Sequence, residues 1–152
     1  DDGVLEATGA ASLDFEGLAA FWTSELGIKI REHKEMAKRE QAFTARFSPA
    51  DLAAFTGQLL ESGLDSEFVV VQGVADLVVM LPHELWLVDF KTDRILPEDL
   101  KTKAKLYEPQ MKVYAQALSR IYQRPVSACW LYFLAAREAV QIQVEAAKPS
   151  EE

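Results

Sequence analysis

The chain has 152 residues, of which 49% are hydrophobic and 26% charged, the mix of a soluble globular domain rather than a disordered chain. Its single cysteine, Cys129, excludes an internal disulfide and any four-cysteine zinc or iron–sulfur centre made by this chain alone. No apolar run approaches the ~20 residues that cross a bilayer and the opening Asp1-Asp2-Gly3 lacks a signal peptide's basic start, so no membrane partner and a cytoplasmic setting are expected.

The net charge of −8 is unevenly spread: residues 1–90 hold six basic and sixteen acidic side chains, residues 91–124 eight basic and four acidic. A positive segment on an acidic body can still attract phosphates, because fields beyond about 10 Å are screened at physiological salt. A lysine-rich solvated helix would look the same.

Residues 1–14 are small and acidic without a sustained period, which reads as a flexible end or fragment stump over about 1–15. From Glu16 to Gly27, Leu18, Ala19, Phe21, Trp22 and Leu26 recur at helical spacing, with Gly27 as the expected stop. Ala42 to Phe47 is strand-like. Ser48-Pro49-Ala50-Asp51 opens a helix with a Ser cap, Pro in the first turn and an acid facing the dipole; it is expected to run to Ser62 and end at Gly63. Phe68–Leu81 and Glu84–Phe90 then read as two strands joined at Pro82-His83, an antiparallel hairpin.

After Lys91 the period becomes helical, with Leu106, Met111, Tyr114, Leu118 and Ile121 as the stripe and Pro109 predicting a break into pieces 97–106 and 108–123. Val126–Ala135 is an apolar run suited to a strand buried on both faces, Val140–Val144 a short edge strand, and 147–152 a disordered tail. The expectation is a single α/β domain over 16–146, a mixed β-sheet with helices on its faces.

The chemistry concentrates in Gly73-Val74-Ala75-Asp76 and Val88-Asp89-Phe90-Lys91-Thr92. Asp76 interrupts an apolar strand and Asp89 ends another, and an unpaired buried carboxylate costs several kcal/mol. Period-two geometry puts Asp89 and Lys91 on one sheet face. Two aspartates on paired strands suit a hard cation such as Mg²⁺ or Mn²⁺. Equally, Asp76 could form a structural salt bridge with Lys91 or Arg94, and spacing alone leaves both readings open.

Asp89-Phe90-Lys91 is a D-x-K form of the PD-(D/E)xK signature. Its surroundings, Val71-Gln72-Gly73-Val74-Ala75-Asp76-Leu77 and Leu87-Val88-Asp89-Phe90-Lys91-Thr92-Asp93-Arg94, resemble the C-terminal nuclease domain of AddA/RecB-type helicase–nucleases. Arg39-Glu40-Gln41-Ala42-Phe43 resembles that family's R-E-x-x-F strand, Gln110-Met111-Lys112-Val113-Tyr114 its Q-x-x-x-Y helix, and Leu131-Tyr132-Phe133-Leu134 the strand that follows. The likeness runs over about 16–144 with the motifs in family order.

The resemblance implies a restriction-endonuclease-like mixed sheet and metal-dependent hydrolysis of DNA phosphodiesters in double-strand-break repair. By position, Asp76, Asp89 and the Phe90 carbonyl would be metal ligands for Mg²⁺ or Mn²⁺, Lys91 the catalytic lysine and Glu40 a further active-site acid. Gln110, Tyr114, Thr92 and Arg94 would contact DNA or support the site. The implied partners are single-stranded DNA, a helicase region of a longer chain and a second AddB/RecC-like subunit. A non-catalytic DNA- or partner-binding domain of the same fold is the alternative.

One family element is missing, the upstream G-T-x-x-H helix with its ligand His. His33 is seven positions before Glu40, too close for that residue, and reads as a solvated surface side chain; His83 falls in the hairpin turn. The chain is therefore read as a fragment that begins after that helix. Cys129 reads as inert core; Trp22, Trp86 and Trp130 could stack on bases, but Trp130 reads as core and Trp86 as a sheet-face residue. No Gly-rich phosphate loop occurs, so ATP is expected to bind only in regions outside this chain.

Overall fold

The computed structural model describes residues 15–57 and 68–145; the expected flexible start, the expected helix end at Ser62 and Gly63 and the expected tail from 147 lie outside them. Five strands form one sheet in the order β1-β2-β3-β4-β5: β1 Ala37–Phe47, β2 Val69–Met80, β3 Leu85–Lys91, β4 Val126–Phe133 and β5 Glu138–Ile142. Three pairings are antiparallel, and β3 with β4 is parallel. That parallel pair is joined by the helix α4, Leu100–Tyr122, because parallel neighbours need a long crossover. The α/β mixed sheet and the β2–β3 hairpin expected from the sequence are both present.

Helices cover the two faces. On one lies α4 with α3, Pro49–Thr56, over Phe43, Phe47, Leu87 and Leu131. On the other, α1, covering 15–23, and α2, Glu25–Arg31, contribute Phe21 and Ile30 to a second core with Leu77, Val79 and Tyr132. Phe21 is fully buried and meets the Phe90 and Tyr132 rings edge-on, each at 4.9 Å.

Several element boundaries differ from the sequence reading, each for a local reason. The first helix is two, because Ser24 caps a new start and accepts the Gly27 N–H at 3.1 Å. Gly27 is thus no stop: a Cβ there would lie 1.9 Å from the Phe21 carbonyl oxygen, so the residue lets two helical turns touch. Ser48 does cap α3, accepting from Asp51 N at 3.1 Å, but the helix ends at Thr56 because Gly57 takes the left-handed conformation at φ 70°.

Pro109 does not break α4. One lost backbone bond is outweighed by burial of Leu100 and Ala104 before it and Met111, Ala115 and Leu118 after it. The edge strand β5 begins at Glu138 rather than Val140, pairing Ala139 with Tyr132. His33 is half-buried, its ring edge-on to Trp86 at 5.4 Å, rather than solvated.

The β1–β2 pair carries an irregularity that aims the site. Ala37 packs with the α1–α2 core, yet Phe43, Ala45 and Phe47, an even number of residues on, face α4. Across the ladder Ala75 faces α4 while Leu77 faces α1–α2. A regular strand keeps such residues on one face, so both strands exchange faces between these positions while the register is kept. Glu40, in the left-handed region at φ 48°, sits at the exchange; for a non-glycine residue that conformation costs about 1–2 kcal/mol.

Candidate functional site

The β2–β3 ladder runs from Met80–Leu85 to Leu77–Val88, and the next two residues along it are Asp76 and Asp89. In place of a further backbone bond, the Phe90 N–H donates to Asp76 Oδ2 at 2.8 Å. The carboxylate therefore stands where the strands part. Burial pushes its pKa up to about 6, against the pull of the Phe90 N–H, and the Asp89 charge adds to the rise.

Beyond Val88, β3 stays paired with β4, Asp89 to Leu131 and Lys91 to Phe133. Asp89 and Lys91 share the face towards α4, as period two requires. Asp89, 7% exposed, takes the Lys91 ammonium at 2.8 Å. The alternative pairing of Asp76 with Lys91 or Arg94 does not form among the described residues. Phe90 turns its ring to the other face, against Phe21, so only its backbone belongs to this side.

The site's wall comes from α4. Tyr107, Gln110 and Tyr114 are spaced to fall on one helical face. Gln110 Oε1 accepts from Lys91 Nζ at 3.5 Å, and Gln110 Nε2 donates to the Tyr114 hydroxyl at 3.5 Å. Tyr114 presses on β2 at Gly73, where a Cβ would come within 2.7 Å of its hydroxyl, and meets Phe43 edge-on at 4.8 Å. The glycine is thus required by close approach, which is how Gln110 and Lys91 come within reach of each other.

Tyr107 and Asp93 were not singled out from the sequence, yet they complete the arrangement. Lys91 Nζ lies 4.1 Å from the centre of the Tyr107 ring, a cation–π distance. The Tyr107 hydroxyl donates to both Asp93 oxygens, at 2.8 and 3.0 Å, and Lys103 pairs with Asp93 at 3.4 Å. Burial would raise the Asp93 carboxyl, but Tyr107 and Lys103 outweigh it and hold it low; the same bond to Asp93 pushes the Tyr107 phenol up. The available signal was the three-residue step from Tyr107 to Gln110.

Of the remaining expected residues, Glu40 is exposed on β1, at the place in the register that faces Asp76. Thr92 and Arg94 are exposed on the segment after β3. None of the three joins the cluster of Asp76, Asp89, Lys91 and Gln110 through a hydrogen bond or ion pair among the described residues. Cys129 is fully buried and burial pushes its thiol up to about 12, as suits inert core. His33 and His83 lie towards the other end of β3, against Trp86 and in the hairpin turn.

Among the described residues no group of three or more His, Cys, Asp and Glu side chains is gathered tightly enough to hold a metal ion. The donors are two carboxylates, and their chemistry still fits a hard divalent cation. Burial, with the Asp89 charge adding to it, pushes the Asp76 carboxyl up to about 6, and added positive charge there would favour its ionised form.

The sequence matches the PD-(D/E)XK nuclease superfamily over residues 4–152. It is similar to large bacterial proteins named as ATP-dependent helicase/nuclease subunits: 29% identical to that of Listeria innocua over 93% of this chain, 31% to that of Moorella thermoacetica over 86% and 32% to that of Limosilactobacillus fermentum over 88%. The chain spans 11%, 9% and 10% of those relatives' lengths.

Proposed function

The chain belongs to the PD-(D/E)XK nuclease superfamily, and on that premise we propose that it hydrolyses DNA phosphodiesters with the help of a divalent metal ion. The observation that carries this reading is the convergence of Asp76, Asp89 and Lys91 where the β2–β3 ladder ends. Asp76, Asp89 and the Phe90 carbonyl would hold Mg²⁺ or Mn²⁺. When bound, such an ion supplies positive charge for the developing phosphoryl oxyanion and makes water more acidic.

The chain's own residues do the rest. Lys91, steadied by Asp89, Gln110 and the Tyr107 ring, presents a fixed ammonium to the phosphoryl oxygens, where charge accumulates in the transition state. Gln110 and Tyr114 set the distance between α4 and β2 and line the approach of the strand. Glu40 would add a third carboxylate opposite Asp76 once substrate or metal draws it in. Thr92 and Arg94, exposed after β3, would contact the DNA backbone.

The similarity to these helicase/nuclease proteins supports placing this domain in a longer chain whose other regions bind ATP and unwind broken duplex ends. A single strand would then be fed to it, with an AddB/RecC-like partner beside it, in the bacterial cytoplasm. No helix of the described residues is long and apolar enough to cross a membrane.

The test is cleavage of labelled single-stranded DNA with Mg²⁺ or Mn²⁺, together with calorimetric titration of either ion. Metal-dependent cleavage and a saturable isotherm, both lost in Asp89→Ala, are expected. DNA binding without metal binding or cleavage would overturn the assignment and favour a non-catalytic binding domain.

A further inference from the structure

A second, basic site lies on the sheet face opposite α4. Between α1, α2 and the start of β1 is a cavity of about 280 Å³ lined by Trp22, Ile30, Arg31, Lys34, Ala37 and Arg39. Three of those six residues are cations and none is acidic, although residues 1–90 of the sequence carry a net charge of −10. The Arg39 guanidinium is seated over the Trp22 ring at 5.1 Å, and Ile30, fully buried, forms the apolar floor. Among the described residues no ion pair involves Arg31, Lys34 or Arg39. Three cations without an ion-pair partner share one cavity, and a polyanion relieves their mutual repulsion.

We propose that this cavity binds the phosphodiester backbone of single-stranded DNA on its way to or from the carboxylate pair; the inference rests on the nuclease reading. Arg39 immediately precedes Glu40, whose place in the register faces Asp76, and neighbouring strands are ~5 Å apart. The face exchange in β1 leaves Ala37 and Arg39 on the cavity side, while Phe43, Ala45 and Phe47 face α4. Because β1 is an edge strand among the described residues, a flexible single strand can pass round it from the cavity to the carboxylates. The chain thus holds its substrate at two points, one of which needs no metal.

The test is fluorescence anisotropy of a labelled oligothymidine with this chain in EDTA, over a series of salt concentrations. Arg31→Gln/Lys34→Gln/Arg39→Gln is expected to weaken binding tenfold or more and to flatten the slope of log K against log salt by about 2, the share of three phosphate contacts on a single strand. The exposed pair Arg31→Glu/Lys34→Glu should weaken it at least as strongly in protein that still melts cooperatively. Affinity and salt slope unaltered in the charge variants would overturn the proposal. So would displacement of the oligonucleotide by inorganic phosphate at equal phosphate concentration, which would mark a free-anion site. Failure of the nuclease reading would instead appear as absent cleavage with this metal-free binding intact.

Discussion

Asp76, one residue beyond the last backbone pair on β2, accepts at 2.8 Å the N–H of Phe90, two residues beyond it on β3. A side chain thus does the work of a ladder bond, and the strands can part without orphaning that donor. The arrangement fixes a half-buried carboxylate beside Asp89, and its electrostatic cost should be visible in the metal-free protein.

The folded value of Asp76, about 6, lies above the ordinary 3.8, so the native state holds this proton more tightly than the unfolded chain. The associated stability is fully present below pH ~4 and is lost as pH rises through about 6. Allowing for solvent screening of a half-exposed group, the loss is on the order of 1 kcal/mol. Asp76→Asn, which keeps an acceptor for Phe90 but never ionises, is expected to melt about 2–4 °C higher than the parent at pH 7.5 in EDTA. The two should converge near pH 4. An Asn variant that melts lower at pH 7.5, or a gap that ignores pH, would contradict this account.

Asp89 and Lys91 predict a different response. Removing the ammonium by Lys91→Ala leaves a carboxylate that is 7% exposed without its partner, at a cost of about 2 kcal/mol. Thermal or urea unfolding in EDTA should show that loss. If the carboxylates accept a divalent cation, saturating Mn²⁺ should restore most of the variant's stability, while DNA cleavage stays abolished. Neutralising both partners in Asp89→Asn/Lys91→Ala should recover stability without metal and remove the response to Mn²⁺. A single variant as stable as the parent, or one indifferent to Mn²⁺, would count against this pairing.

The carboxylates could be found in the sequence because Asp76 and Asp89 interrupt apolar strands, and period two placed Lys91 beside Asp89, where the 2.8 Å contact now stands. What the sequence did not disclose depends on contacts remote along the chain. Pro109 looks like a breaker in its own window and is overridden by packing on both sides of it. Gly27 looks like a stop, since its contact with Phe21 exists only once Ser24 has turned the chain. The face exchange at Glu40 needs a left-handed backbone that glutamate does not announce. Tyr107 was in principle legible, three residues before Gln110, but its ring mattered only once Lys91 was seen to lie over it.

Gly27→Ala tests the helix junction apart from the site. A Cβ would meet the Phe21 carbonyl oxygen at 1.9 Å and Trp22 Cα at 2.7 Å, both backbone atoms with little room to move. Separating α1 from α2 would disturb Phe21, the centre of the core under Phe90. A loss of about 3 kcal/mol in urea unfolding is expected, at the upper end of overpacking costs. A loss below about 1 kcal/mol would show that the junction yields more easily than this geometry allows.

Tyr107 separates the two jobs that its side chain does. Its ring carries the Lys91 ammonium at 4.1 Å, and its hydroxyl is tied to Asp93. Tyr107→Phe keeps the ring and drops the tie, whereas Tyr107→Leu keeps apolar bulk and drops the ring's charge distribution. A cation–π contact is worth about 1–2 kcal/mol when partly desolvated. If it positions Lys91 for the reaction, kcat should fall roughly fivefold to thirtyfold in the Leu variant with KM for single-stranded DNA nearly unchanged. The Phe variant should stay within about threefold of the parent, since only the neutral–ion hydrogen bond to Asp93 is gone. Equal losses in both variants would move the role from the ring to the hydroxyl, making Asp93 and Lys103 the groups that hold this end of the site.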